Sequence, residues 1–92
     1  MRSEAKIEED VIKWAKKNSW LVLKLNNPWS KGWPDRLFIS PLGHHIYIEF
    51  KKPGKKPRKL QEKRLSSLAD NNCVVYWFDN VAGAIEALEL YQ

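Results

Sequence analysis

Gly32-Trp33-Pro34-Asp35 and, after a short apolar run and a turn, Ile48-Glu49-Phe50-Lys51 are the stretch around which this chain is organised. Leu37-Phe38-Ile39 and Ile46-Tyr47-Ile48-Glu49-Phe50 are β-branched and aromatic runs, and Pro41-Leu42-Gly43 between them supplies a turn, so residues 35–51 predict a β-hairpin. Side chains alternate along a strand, which puts Ile46, Ile48 and Phe50 on one face and Tyr47, Glu49 and Lys51 on the other. Asp35 joins the second face only if the loop has an odd number of residues. A three-residue connection with Gly43 left-handed pairs Ser40 with His44 and hence Asp35 with Glu49; a two-residue loop turns Asp35 to the far face. Directly opposed carboxylates, about 5 Å apart at Cβ, repel unless a cation sits between them. Hard oxygen ligands at that spacing suit Mg²⁺ or Mn²⁺.

Ninety-two residues make one small domain with one modest core, expected to span 1–92 and to be helped by a partner chain. An apolar fraction of 43% with 12% aromatics argues against disorder. No apolar run approaches the length of a membrane span, and Met1-Arg2-Ser3-Glu4 leads into a charged amphipathic segment unlike a signal peptide. The single Cys73 forms no internal disulfide, and with only His44 and His45 it makes no persuasive zinc site, so a reducing cytoplasm fits. Net charge is +5, unevenly spread: residues 1–64 hold all 16 Lys and Arg against seven acids, net +9, while 65–92 hold four acids and no base, net −4. One part of the chain is built to face a polyanion.

Ser3 to about Asn18 predicts a helix capped by Ser3, with Ile7, Val11, Trp14 and Ala15 as its apolar stripe. At 100° per residue Glu4 falls near the centre of that stripe and Glu8 on its flank. From composition alone Glu4 reads as part of a solvated first turn and Glu8 as half of a surface pair. Trp20 to Leu25 predicts a strand buried on at least one side, and Asn26 to Trp33 a loop. Trp29 and Trp33 in that loop suit either stacking on unpaired bases or packing against the domain or a second subunit. After the hairpin, Lys51 to Arg64 holds eight basic residues and one acid, beginning with a turn-rich loop that has nothing apolar to anchor it. Abutting the carboxylates, this run is best explained by phosphate-backbone binding, with Lys52, Lys55, Lys56, Arg58 and Lys59 as its contacts, joined by Lys31 of the preceding loop. Arg58 to about Asn71 predicts a second helix with Leu65, Leu68 and Ala69 facing in. Gln61 lies on the same stripe, placed equally to cap the core or a dimer interface or to reach the carboxylates. Cys73 to Phe78 predicts a strand covered on both faces, Cys73 filling the core. Asp79-Asn80 then caps a last helix carrying Val81, Ile85 and Leu88. The order is α-β-β-β-α-β-α, an α/β mixed sheet flanked by helices.

Pro34-Asp35 followed by Glu49-Phe50-Lys51 resembles the PD-(D/E)xK nuclease motif. The whole chain is similar to the stand-alone phage and bacterial type of VRR-NUC domain, the virus-type replication-repair nuclease branch of that superfamily. Its pattern is a helical Glu, Gly-x-Pro-Asp, Glu-x-Lys and a helical Gln, here Glu4 or Glu8, Gly32-Trp33-Pro34-Asp35, Glu49-Phe50-Lys51 and Gln61. Ile7 and Glu8 stand where the family has an aliphatic residue and often a Gln, three and four residues after its Glu, which favours Glu4; the Val-Arg-Arg signature is absent. The resemblance implies a restriction-endonuclease-like core and a metal-dependent DNA endonuclease. Asp35 and Glu49, with the Phe50 carbonyl and the helix-1 Glu directly or through water, would hold Mg²⁺ or Mn²⁺. Lys51 would orient water or stabilise developing charge, and Gln61 would position a ligand or the phosphate. It further implies a homodimer on branched DNA, as in Holliday-junction resolvases serving replication, recombination or repair in a bacterial or phage-infected cell. The other functions the residues allow are a DNA-binding module without nuclease activity and a protein-interaction domain for an acidic partner.

Overall fold

The Ser3 hydroxyl accepts the Lys6 backbone N–H at 3.1 Å and starts helix α1, Glu4–Lys17, in a computed structural model that describes residues 3–25 and 28–92. Residues 26 and 27 of the predicted loop, and residues 1 and 2 of the predicted leaderless start, lie outside the described residues. Ile7, Val11 and Ala15 are completely buried along α1, as the helical spacing requires. The chain continues as β1 Leu21–Lys24, β2 Arg36–Ile39, β3 His45–Phe50, α2 Lys59–Asp70, β4 Val74–Phe78 and α3 Val81–Glu89, the predicted order.

The sheet order is β1-β2-β3-β4, with β1, β2 and β3 antiparallel neighbours and β4 parallel to β3. Between β2 and β3 the loop is three residues long, with Gly43 at φ +88° and Ser40 N–H donating to His44 O at 2.9 Å. Ile46, Ile48 and Phe50 therefore point to one face, all fully buried with Phe38, and α1 and α3 cover them through Ile7, Val11, Ala84 and Leu88. Phe38 and Phe50 meet edge to face, with centroids 6.3 Å apart. Helix α2 lies on the opposite face, beside β4.

Both outer strands are covered as expected, and three other expectations are corrected. The first strand, one edge of the sheet, is buried on one side: Trp20 and Val22 pack on the core, while no helix covers the outer side, where Leu21 and Leu23 are 56% and 41% exposed. The last strand, the other edge, packs on the core through Val74, Tyr76 and Phe78 and has α2 on its other face, although none of its residues is fully buried. Cys73 precedes that strand, half-buried beside the Asn71 carbonyl, and fills no core position. Helix α2 rests on the sheet without burying any residue completely; Leu65 and Leu68 are half-buried and Ala69 is exposed. The basic loop is also anchored, since Asp79 Oδ2 accepts Gly54 N–H at 3.1 Å and Pro57 is buried. That hydrogen bond, after a stronger one from the Asn80 amide, holds the Asp79 carboxyl below its ordinary pKa.

Candidate active site

The β2–β3 register, Arg36 opposite Ile48 and Leu37 opposite Tyr47, sets Asp35 opposite Glu49 one step beyond the end of β2. Asp35 is held from both sides. Its Oδ2 accepts Phe50 N–H at 3.0 Å, and its carbonyl accepts Leu25 N–H at 3.0 Å. Gly32 makes this approach possible. It adopts φ +88°, and a Cβ there would lie 2.7 Å from Leu60 Cγ on α2, so the Gly-x-Pro-Asp turn lies directly against that helix.

Glu49 is 2% exposed and Lys51, on the same face, 7%. Glu49 Oε2 accepts the Gln61 Nε2 amide at 2.7 Å and stands 3.6 Å from Lys51 Nζ; its Oε1 is buried with no hydrogen-bond partner. Burial first, and then the charge of Asp35, pushes the Glu49 carboxyl from 4.5 up to about 8; Lys51 opposes the rise, while Glu4 adds to it. One ammonium does not balance the acids collected here. The pair is short of positive charge and Glu49 has an oxygen to spare, which fits a hard divalent cation. Among the described residues no three His, Cys, Asp or Glu side chains form a ready metal cage. A cation on two carboxylates would complete its shell with water, backbone carbonyl and phosphate oxygens, a usual Mg²⁺ arrangement.

The two candidate acids of α1 part company. Glu4 is close enough to act electrostatically on Glu49, whereas Glu8 forms a hydrogen-bonded ion pair with Arg36. Gln61 does two jobs, because its Oε1 also accepts the Arg58 N–H at 2.9 Å at the start of α2. Lys31, Lys52, Lys55, Lys56, Arg58 and Lys59 are all exposed. Trp29 is 93% exposed. Trp33 instead packs: its Nε1 donates to Ser30 Oγ at 3.0 Å and its ring lies 4.7 Å beneath the Arg64 guanidinium. Arg64, which also donates to the Lys31 carbonyl and to Ser30 Oγ, ties the loop to α2 and was not among the predicted residues. Its signal was its place three residues after Gln61, on the same side of the helix.

A mixed four-stranded sheet with helices on both faces, and opposed acids where its central hairpin opens, defines a restriction-endonuclease-like α/β fold. One solved structure of a VRR_NUC domain superposes with a TM-score of 0.86 over 97% of both chains at 22% identity. A second, a VRR_NUC domain protein, gives 0.76 over 96% of this chain and 86% of its own at 16% identity. This chain has the VRR-NUC fold, as its motif order implies. It is also 36% identical over 58 residues to "Putative nuclease p44" of Acyrthosiphon pisum secondary endosymbiont phage 1, a match spanning 63% of this chain and 62% of that protein's length. No protein-family model matches the chain.

Proposed function

We propose that the chain, as a single domain, is a metal-dependent endonuclease that hydrolyses DNA phosphodiester bonds, selective for branched structures such as Holliday junctions. The observation that carries this reading is Glu49: buried, opposite Asp35, with Lys51 beside one oxygen and nothing bonded to the other. Asp35 and Glu49 would hold Mg²⁺ or Mn²⁺. When bound, that cation lowers the pKa of its water and offsets charge on the phosphoryl group. The protein's own groups do the positioning. The Phe50 amide fixes Asp35, and the Gln61 amide fixes Glu49 Oε2. Lys51 is buried next to that oxygen, where its ammonium can donate to the attacking water or to a phosphate oxygen as charge develops. Glu4, further out, would act through water.

The exposed lysines after β3, with Arg58, Lys31 and Trp29, support contact with phosphates and unpaired bases. The uncovered Leu21, Leu23 and Trp77 support a homodimer, which would supply two sites for paired nicks. The half-buried lone cysteine and the phage relative support action in the cytoplasm of a bacterial or phage-infected cell. Among the described residues no helix is long and apolar enough to cross a membrane.

The test is cleavage of labelled four-way junction, flap and linear duplex with Mg²⁺, Mn²⁺ or EDTA. Metal-dependent cutting of the branched substrates ahead of duplex, as paired nicks, is expected. Tight binding without cutting under either metal would make the chain a DNA-binding module.

A further inference from the structure

A cleft of about 560 Å³ runs between α1 and the β1 edge and opens at Asp35. Lys13 and Lys16 on α1 and Lys24 on β1 line it, together with the Glu8–Arg36 ion pair. None of the three lysines has a carboxylate within ion-pair distance among the described residues. The acids of the cleft are otherwise occupied: Glu8 is neutralised by Arg36, and Glu9 stands 4.0 Å from Lys6 Nζ. With the Glu8–Arg36 pair set aside, three lysines face two acids, Glu9 and Asp35, so the cleft is net cationic.

Strand order gives this position meaning. Asp35 immediately precedes β2 and Glu49 lies near the end of β3, the two central strands; the basic loop after β3 is hydrogen-bonded to Asp79 beyond β4, and Lys24 is on β1. The carboxylates therefore lie between two separate basic surfaces at one end of the sheet. Resting on the reading of the chain as a DNA nuclease, we infer that the α1–β1 cleft is a second phosphate-backbone track, in which Lys13, Lys16 and Lys24 hold the DNA arm leaving the site on the side opposite the basic loop. A duplex gripped on both sides must span much of the domain, whose longest dimension is 34 Å, about ten base pairs at 3.4 Å each.

The experiment measures fluorescence anisotropy of labelled four-way junction in EDTA over a salt series, so that cleavage plays no part. Each lysine that neutralises a phosphate contributes about one unit to the slope of log affinity against log salt. Lys13→Ala/Lys16→Ala/Lys24→Ala is expected to lower the slope by about two to three units. Lys13→Arg/Lys16→Arg/Lys24→Arg is expected to keep it, and so is Lys6→Ala, whose charge is already paired with Asp10 at 3.2 Å. An unchanged slope in the triple alanine variant overturns the inference. Lysine acetylation of the wild-type protein gives a second reading: DNA should protect these three positions, and equal reactivity with and without DNA also overturns it. Absence of wild-type DNA binding would sink both this inference and the nuclease. Loss of slope in a protein that never cuts DNA would sink the nuclease alone.

Discussion

Gln61 donates its side-chain amide to Glu49 Oε2 at 2.7 Å, joining the first turn of α2 to a buried carboxylate on the central strand. The same side chain accepts the Arg58 N–H, so helix start and carboxylate are set together. Gln61→Leu leaves Glu49 without its hydrogen-bonding amide and opens the α2 N-terminus. A loss of about 1–3 kcal/mol is expected for a buried acceptor left unmet. Thermal melting should show it as about 4–8 °C per kcal/mol for a domain of this size. Cleavage should fall further than the loss of folded protein explains.

The two acids of α1 have different effects to remove. Glu4→Gln should leave melting nearly unchanged and reduce cleavage, since Glu4 acts on Glu49 only electrostatically. Glu8→Gln should do the reverse: it leaves the half-buried Arg36 without its carboxylate, a cost of about 1 kcal/mol in stability, with cleavage per folded molecule retained. Melting and cleavage measured on both variants separate the two roles.

Two glycines at positive φ should respond unequally to alanine. Gly43→Ala meets no atom within 4 Å and should cost about 1–2 kcal/mol for the left-handed backbone alone. Gly32→Ala adds a 2.7 Å approach to Leu60 Cγ and should cost more. Adding Leu60→Ala should remove the steric part of that loss and leave the backbone part. Urea titration of the three variants checks the order.

In EDTA the protein should lose stability as pH rises from about 4.5 to about 8. The Glu49 carboxyl titrates near 4.5 when exposed and near 8 in the fold, so across that window the folded state holds the extra proton and each rise in pH favours unfolding. Glu49→Gln removes this slope. Mg²⁺ or Mn²⁺ at the upper end should restore stability to the wild type and not to the variant, because a ligand that binds only the folded state stabilises it. Melting temperature against pH, with and without metal, is the measurement.

The hairpin and its carboxylate register were legible because turn length and strand alternation are local. Gly43 closes a three-residue loop, and the pairing of Asp35 with Glu49 follows by counting. Helix α1 was legible for the same reason. The edges were not. Trp20 to Leu25 and Cys73 to Phe78 are apolar runs, and an apolar run looks alike at the edge of a sheet and in its middle; only the strand pairing decides it. The Glu8–Arg36 pair joins residues 28 apart and the Arg64–Trp33 stack joins two different elements, contacts that periodicity does not reach. Periodicity left Gln61 open between two roles. Its amide reaches Glu49, the second of those roles, and its carbonyl oxygen accepts the Arg58 N–H at the helix start, which was neither.

Single-turnover cleavage of a labelled four-way junction, at protein concentrations that saturate binding, tests the assignment of hydrolysis to this site most directly. Wild type should cut with Mg²⁺ or Mn²⁺ and not with EDTA. Asp35→Ala should abolish cutting, and Lys51→Ala should slow it by about 10²–10³-fold, while both still bind the junction. Cutting by Asp35→Ala at the wild-type rate, or a wild type indifferent to EDTA, would contradict it.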